Sequence, residues 1–79
     1  MNHNKPLIHD RLKELVDEMI GLGIRYVDAK DEFEKIFITG VLNSNGFNRS
    51  EASEKLGIHR NTLIYKIRRH KIEAAKKQE

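Results

Sequence analysis

Apolar residues recur at helical spacing from Ile8 onward. Ile8, Leu12, Leu15, Val16, Met19 and Ile20 fall at i, i+4, i+7, i+8, i+11 and i+12, which is one face of a helix. Gly21 and Gly23 weaken that pattern, so the first helix should end near Ile20 to Leu22, with a short connection running to Tyr26. Pro6 is expected just before this helix. A second helix should open near Asp28 as N-cap, with Asp31 close to the first turn's free N–H groups. Its main apolar face is Phe33, Ile36, Phe37, Gly40 and Val41, and Ile38 and Leu42 widen it. A helix apolar over so much of its circumference needs cover on two sides. It should stop in the turn formers Asn43-Ser44-Asn45-Gly46.

Two shorter helices follow. Asn48 with Glu51 three residues later has the spacing of a capping box, and Ala52 and Leu56 form the inner face. Gly57 stands where a left-handed C-cap belongs, and Ile58 plugs the turn. The last helix runs from about Arg60 to about His70 with Leu63 and Ile67 as its inner pair, and a polar tail follows Ile72. No strand-like alternation, repeat or linker interrupts this series. The expected fold is all-α: a four-helix chain, two helices over 7–44 and a helix-turn-helix over 48–72, in a single domain spanning 1–79.

Composition narrows the options. A chain of 79 residues buries a limited core, so chains of this size often rely on a staple, a metal or a second subunit. It has no cysteine, which removes disulfides and thiolate metal sites. The N-terminus has no apolar core of the signal-peptide kind, and no apolar run approaches the roughly 18 residues of a membrane span. A cytoplasmic location, and no membrane partner, is the expectation. Net charge is +3, but up to Phe47 there are 6 Lys/Arg against 8 Asp/Glu, and from Asn48 onward 9 against 4. The basic excess lies on the helix-turn-helix half, which suits a polyanion.

The last helix supplies the chemistry. With Leu63 and Ile67 inward, a turn of ~100° per residue points Asn61, Tyr65, Arg68 and Arg69 the other way. Arg60 and Thr62 lie at the N-terminal end, where a recognition helix meets base edges. Arginine can bond guanine O6 and N7, asparagine can bond adenine, and threonine can meet a phosphate or a thymine methyl. Lys66, Arg68 and Arg69 are placed to neutralise phosphates, and Asn48, Arg49 and Ser50 open a helix whose free N–H groups form a phosphate seat. His59 stands beside the base-reading end. No catalytic residue, metal ligand or cofactor site is expected. The carboxylates Asp28, Asp31, Glu32 and Glu34 suit the start of a helix and have no nucleophile beside them, and His59 and His70 are badly spaced for a shared ion. No small-molecule ligand is expected either.

The stretch NRSEASEKLGIHRNTLIYKI resembles the C-terminal helix-turn-helix of the factor-for-inversion-stimulation (Fis) family. It is also similar to the DNA-binding end of nitrogen-regulation-type enhancer-binding activators. Asn48-Arg49-Ser50, Ala52, Leu56-Gly57-Ile58, Arg60, Thr62-Leu63 and Lys66-Ile67 carry the resemblance. They span about a quarter of the chain, and the likeness extends loosely over the second helix to about half. The resemblance implies an intertwined α-helical homodimer whose recognition helices enter successive major grooves of a palindromic site and bend the DNA. It implies that Arg60 contacts guanine, that Thr62 contacts a base or phosphate, and that Asn48, Ser50, Lys66, Arg68 and Arg69 hold the backbone. The helices before the motif would form the dimer core, through Leu15, Met19, Phe33, Ile36, Phe37 and Val41. The chain departs from the family at His59, where Ser or Asn is usual, at Gly46-Phe47-Asn48, and at Lys71, where the helix ending has glycine. The function implied is a DNA-bending, nucleoid-associated regulator of transcription. One alternative is the DNA-binding tail of a larger sigma-54-dependent activator. Another, of a different class, is a helical adaptor that binds an acidic protein.

Overall fold

The computed structural model describes residues 4–73. It is all-α, with α1 (Asn4–Gly21), α2 (Tyr26–Ser44), α3 (Arg49–Leu56) and α4 (Arg60–His70), and the expected tail lies almost wholly outside the described residues. Two of the expected helix starts move. Pro6 falls inside the first turn of α1, where its missing N–H would have had no helical acceptor. Asp28 is not the N-cap of α2. The helix begins at Tyr26, because the Arg25 carbonyl accepts the first bond from Ala29 N–H at 3.0 Å. Asp28 instead occupies the first turn, where its charge suits the helix dipole, and accepts from Arg25 Nε at 3.1 Å.

The chain divides into two compact units, residues 1–31 and 32–79. In the first, the apolar stripe of α1 stays open to solvent: Leu7, Ile8, Leu12, Leu15, Val16 and Ile20 are all exposed, and Met19 is half-buried. An exposed pair, Lys13 and Asp17 at 3.1 Å, decorates α1 one turn apart and contributes little to stability.

The second unit has the core. Ile38 and Leu42 from α2, Ala52 from α3, Leu63 from α4 and Ile72 beyond it are buried together, and Val41, Phe47, Leu56, Ile58 and Ile67 pack around them. The two apolar sides of this part of α2 therefore have different fates. Ile38 and Leu42 turn inward, while Phe33, Ile36 and Phe37 remain 56%, 62% and 51% exposed. Val41, expected on the dimer-forming face, is half-buried against the chain's own core. Its position, three residues from Ile38 and one from Leu42, puts it on the edge of the inward side.

All four helices end the same way. The N–H two residues past the last turn reaches back five residues, from Ile24 to Met19 O (3.0 Å), Phe47 to Leu42 O (2.7 Å), Ile58 to Ser53 O (3.1 Å) and Ile72 to Ile67 O (3.0 Å). The N–H of the residue before each reaches back three residues, to the carbonyls of Ile20, Asn43, Glu54 and Arg68. This is the Schellman ending, with an apolar residue after the left-handed position. Gly57 takes that position at φ 73°, which costs glycine nothing. Lys71 takes it at φ 54° and has a Cβ to accommodate. Phe47 also has a positive φ of 61° in the turn before α3.

Candidate nucleic-acid interface

The helix-turn-helix is built locally. Asn48 caps α3 with its side-chain oxygen, which accepts from Glu51 N–H at 3.0 Å. The capping box is one-sided, since Asn48 N–H donates to the Asn45 carbonyl at 3.0 Å and not to Glu51. Ser53 is buried and its hydroxyl donates to the Ser50 carbonyl at 2.8 Å, so no polar group is stranded there. Gly57 and Ile58 then turn the chain. Ile58 is half-buried against the core, so the turn between α3 and α4 is anchored by an apolar plug as well as by backbone bonds.

His59 is the N-cap of α4. Its backbone is extended, its carbonyl accepts from Leu63 N–H at 3.0 Å, and its Nδ1 accepts from Asn61 N–H at 3.0 Å. Histidine thus does here what Ser or Asn does more commonly, and the ring nitrogen facing the helix must be unprotonated to do it. Arg60, Asn61 and Thr62 form the first turn of α4, all exposed. Tyr65, Arg68 and Arg69 are exposed farther along, and Leu63 is fully buried on the opposite side. At the other open end, Asn48, Arg49 and Ser50 are also exposed at the start of α3. Arg68 and Arg69 lie in the last turn of α4, where positive charge is favoured by the helix dipole as well.

Lys66 behaves differently from its neighbours. The sequence places it for a phosphate, but its Nζ lies 2.6 Å from Glu34 Oε2 on α2. The other carboxylate oxygen, Glu34 Oε1, lies 2.8 Å from Nε2 of the buried His70. The hydrogen bonds from Lys66 and His70, with their charges behind them, hold the Glu34 carboxyl down from 4.5 to about 2, against a smaller opposing effect of burial. No sequence pattern pairs Glu34 with His70, which stands 36 residues away along the chain. Beside this contact, Phe33, Glu34, Phe37, Ile38, Leu56, Ile58 and Lys66 line an open, largely apolar cleft of ≈ 180 Å³.

A short capped helix, a plugged left-handed turn and a second helix with amide, hydroxyl and guanidinium groups on its solvent side define a DNA-binding helix-turn-helix protein. Residues 31–70 match the family described as bacterial regulatory protein, Fis family. The chain belongs to the Fis family, and it is a DNA-binding regulator of transcription. No curated protein and no solved structure matched the chain. Among the described residues, no helix is long and apolar enough to cross a membrane.

Proposed function

We propose that the protein is a nucleoid-associated homodimer that binds a palindromic DNA site through the major groove, bends it and so regulates transcription. One observation carries this reading. Arg60, Asn61 and Thr62 are exposed at the N-terminal end of α4, Tyr65 is exposed one turn on, and none is a core residue, so this end of the helix is open to a groove. Arg60 pairs with guanine, Asn61 with adenine, and Thr62 with a methyl group or phosphate. Asn48, Arg49, Ser50, Arg68 and Arg69 hold phosphates on either side, and His59 fixes where α4 begins. Residues 7–44 supply the dimer surfaces, and 48–72 the DNA contact.

The homodimer is supported by exposed apolar surface. Phe33, Ile36 and Phe37 form a continuous stripe on α2, with the Phe33 and Phe37 rings 5.4 Å apart, and Leu15 and Met19 belong to the stripe of α1. Patches of this kind are sites of association, and two-fold pairing is the usual way of covering them. A symmetric dimer also presents two α4 helices to two half-sites.

The test is titration of duplex DNA at several salt concentrations with the wild type and Arg60→Ala. The wild type should bind with a steep salt dependence, ~0.9 in the log–log slope for each phosphate neutralised. Arg60→Ala should cost roughly 1–3 kcal/mol on the preferred site and relax its base preference. No binding at low salt, or an Arg60→Ala protein with unchanged preference, would overturn the reading.

A further inference from the structure

Glu34 uses both carboxylate oxygens to grip α4, one on Lys66 at 2.6 Å and the other on His70 at 2.8 Å. Lys66 and His70 are four residues apart, so the grip spans one turn of α4 along a single side. It is well sheltered, with the His70 side chain 6% exposed and those of Glu34 and Lys66 about a quarter exposed. The apolar core that buries Leu42 and Leu63 favours burial without prescribing direction. Two hydrogen bonds one turn apart do prescribe it, since rotating α4 about its axis or sliding it lengthwise breaks both. Thr62 lies one turn before Lys66, so the angle that suits the Lys66–Glu34 pair also decides where Thr62 and its neighbours point. A hydrophobic trio in the same places would pack about as stably, so stability alone does not account for a charged one.

We propose that Glu34 is a positioning residue for DNA recognition: by holding Lys66 and His70 it sets the rotation of α4 and so the aim of Arg60, Asn61 and Thr62. This rests on α4 being the recognition helix, as proposed above. It also assigns Lys66 to the interior side of the helix instead of to a phosphate. The rival arrangement is that Lys66 is a phosphate ligand which Glu34 restrains, and the two differ in sign when Glu34 loses its charge.

The experiment compares wild type, Glu34→Gln, Lys66→Met and the double variant. Each is titrated with the tightest duplex selected from a random-sequence pool and with mixed-sequence duplex, at several salt concentrations. Positioning by Glu34 predicts that Glu34→Gln loses roughly tenfold in affinity for the selected duplex while mixed-sequence binding and salt slope stay as they were. The double variant should be no worse than the poorer single variant, because both changes break one device. Tighter mixed-sequence binding by Glu34→Gln, with a slope steeper by ~0.9, would overturn the proposal in favour of a restrained phosphate ligand. Additive losses in the double variant would overturn it too. Circular dichroism checks that each variant is helical. Should Glu34→Gln not fold, Lys66→Met decides alone: lost preference at unchanged slope supports positioning, and kept preference with a slope shallower by ~0.9 refutes it. Arg60→Ala separates the two levels of the argument. If it damages binding and Glu34→Gln does not, only the positioning role fails; if neither does, the recognition-helix reading fails with it.

Discussion

Lys71 closes α4 in a conformation that glycine adopts freely and lysine does not, at φ 54° and ψ 46°. For a residue with a Cβ the left-handed region costs roughly 1–2 kcal/mol. Replacing Lys71 by glycine removes that cost but adds freedom to the unfolded chain, worth about 0.4–1 kcal/mol in the other direction. The net expectation is stabilisation by about 0.5–1 kcal/mol. In a domain of 60–100 residues 1 kcal/mol moves Tm by about 4–8 °C, so Lys71→Gly should melt about 2–8 °C higher. Lys71→Ala is the control, because it removes the ammonium from the helix C-terminus while keeping the Cβ. It should melt no higher than the wild type, and a little lower if the charge near the last carbonyls contributes. The reverse change belongs in the same set. Gly57→Ala, at φ 73° with open space around it, should destabilise by about 1 kcal/mol through the backbone alone. Thermal unfolding by circular dichroism at one fixed protein concentration measures all three, since association makes Tm depend on concentration. If Lys71→Gly and Lys71→Ala melt at the same temperature, the left-handed strain assigned to Lys71 is not there.

Phe37→Glu places a charge in the exposed stripe of α2, half of it already in water, so it should shift sedimentation toward monomer with helicity largely kept. A dimer that survives this change would move the interface elsewhere. His59→Ala removes the side-chain acceptor from Asn61 N–H and should cost roughly 0.5–2 kcal/mol, whereas His59→Ser, which retains an acceptor, should cost less. Equal losses on urea titration would show that the His59 ring does not cap. Glu34 gives a pH signature: its carboxyl is held below the unfolded value, so the unfolded chain binds the proton more readily. The stability it contributes is complete above about pH 4.5 and is lost as pH falls toward about 2. Glu34→Gln should flatten the wild-type decline in that window, and two superimposable acid-unfolding slopes would contradict the assignment.

Much of the fold was legible because its signals are short. Asn48, Gly57 and Ile58 lie within five residues of the groups they cap or turn, and the Leu63/Ile67 pair needs only one turn of helix to be recognised. α2 opens three residues before the expected cap Asp28 because a backbone carbonyl, that of Arg25, begins it, and a carbonyl carries no residue signature. Periodicity also identifies both apolar sides of α2 but not which of them the chain buries in its own core: Ile38 and Leu42, at the margin of the pattern, form the core, and Phe33 and Phe37 face out. The choice depends on where α3 and α4 pack, which no local pattern contains. The same holds for Glu34. Its neighbours in sequence made it one of several acids at a helix start, and only the tertiary fold brings Lys66 to it across 32 residues. Exposed site residues such as Asn61 and Tyr65 are readable as candidates because they fall on the side of α4 away from Leu63, and Thr62 because it stands in the first turn.

The four matching helix ends bear on how the chain reaches this structure. Each change of direction is written in bonds that reach back at most five residues, to Met19, Leu42, Ser53 and Ile67. Closing such short loops takes on the order of 10–100 ns, well inside the time of collapse. Helix boundaries can therefore be settled before distant segments meet, and the slower search is left with a few choices: which apolar side of α2 meets α3 and α4, and where Glu34 finds Lys66 and His70. Errors in assembly should accordingly show as correctly bounded helices wrongly docked, a misfold with native helix content and a misdirected α4.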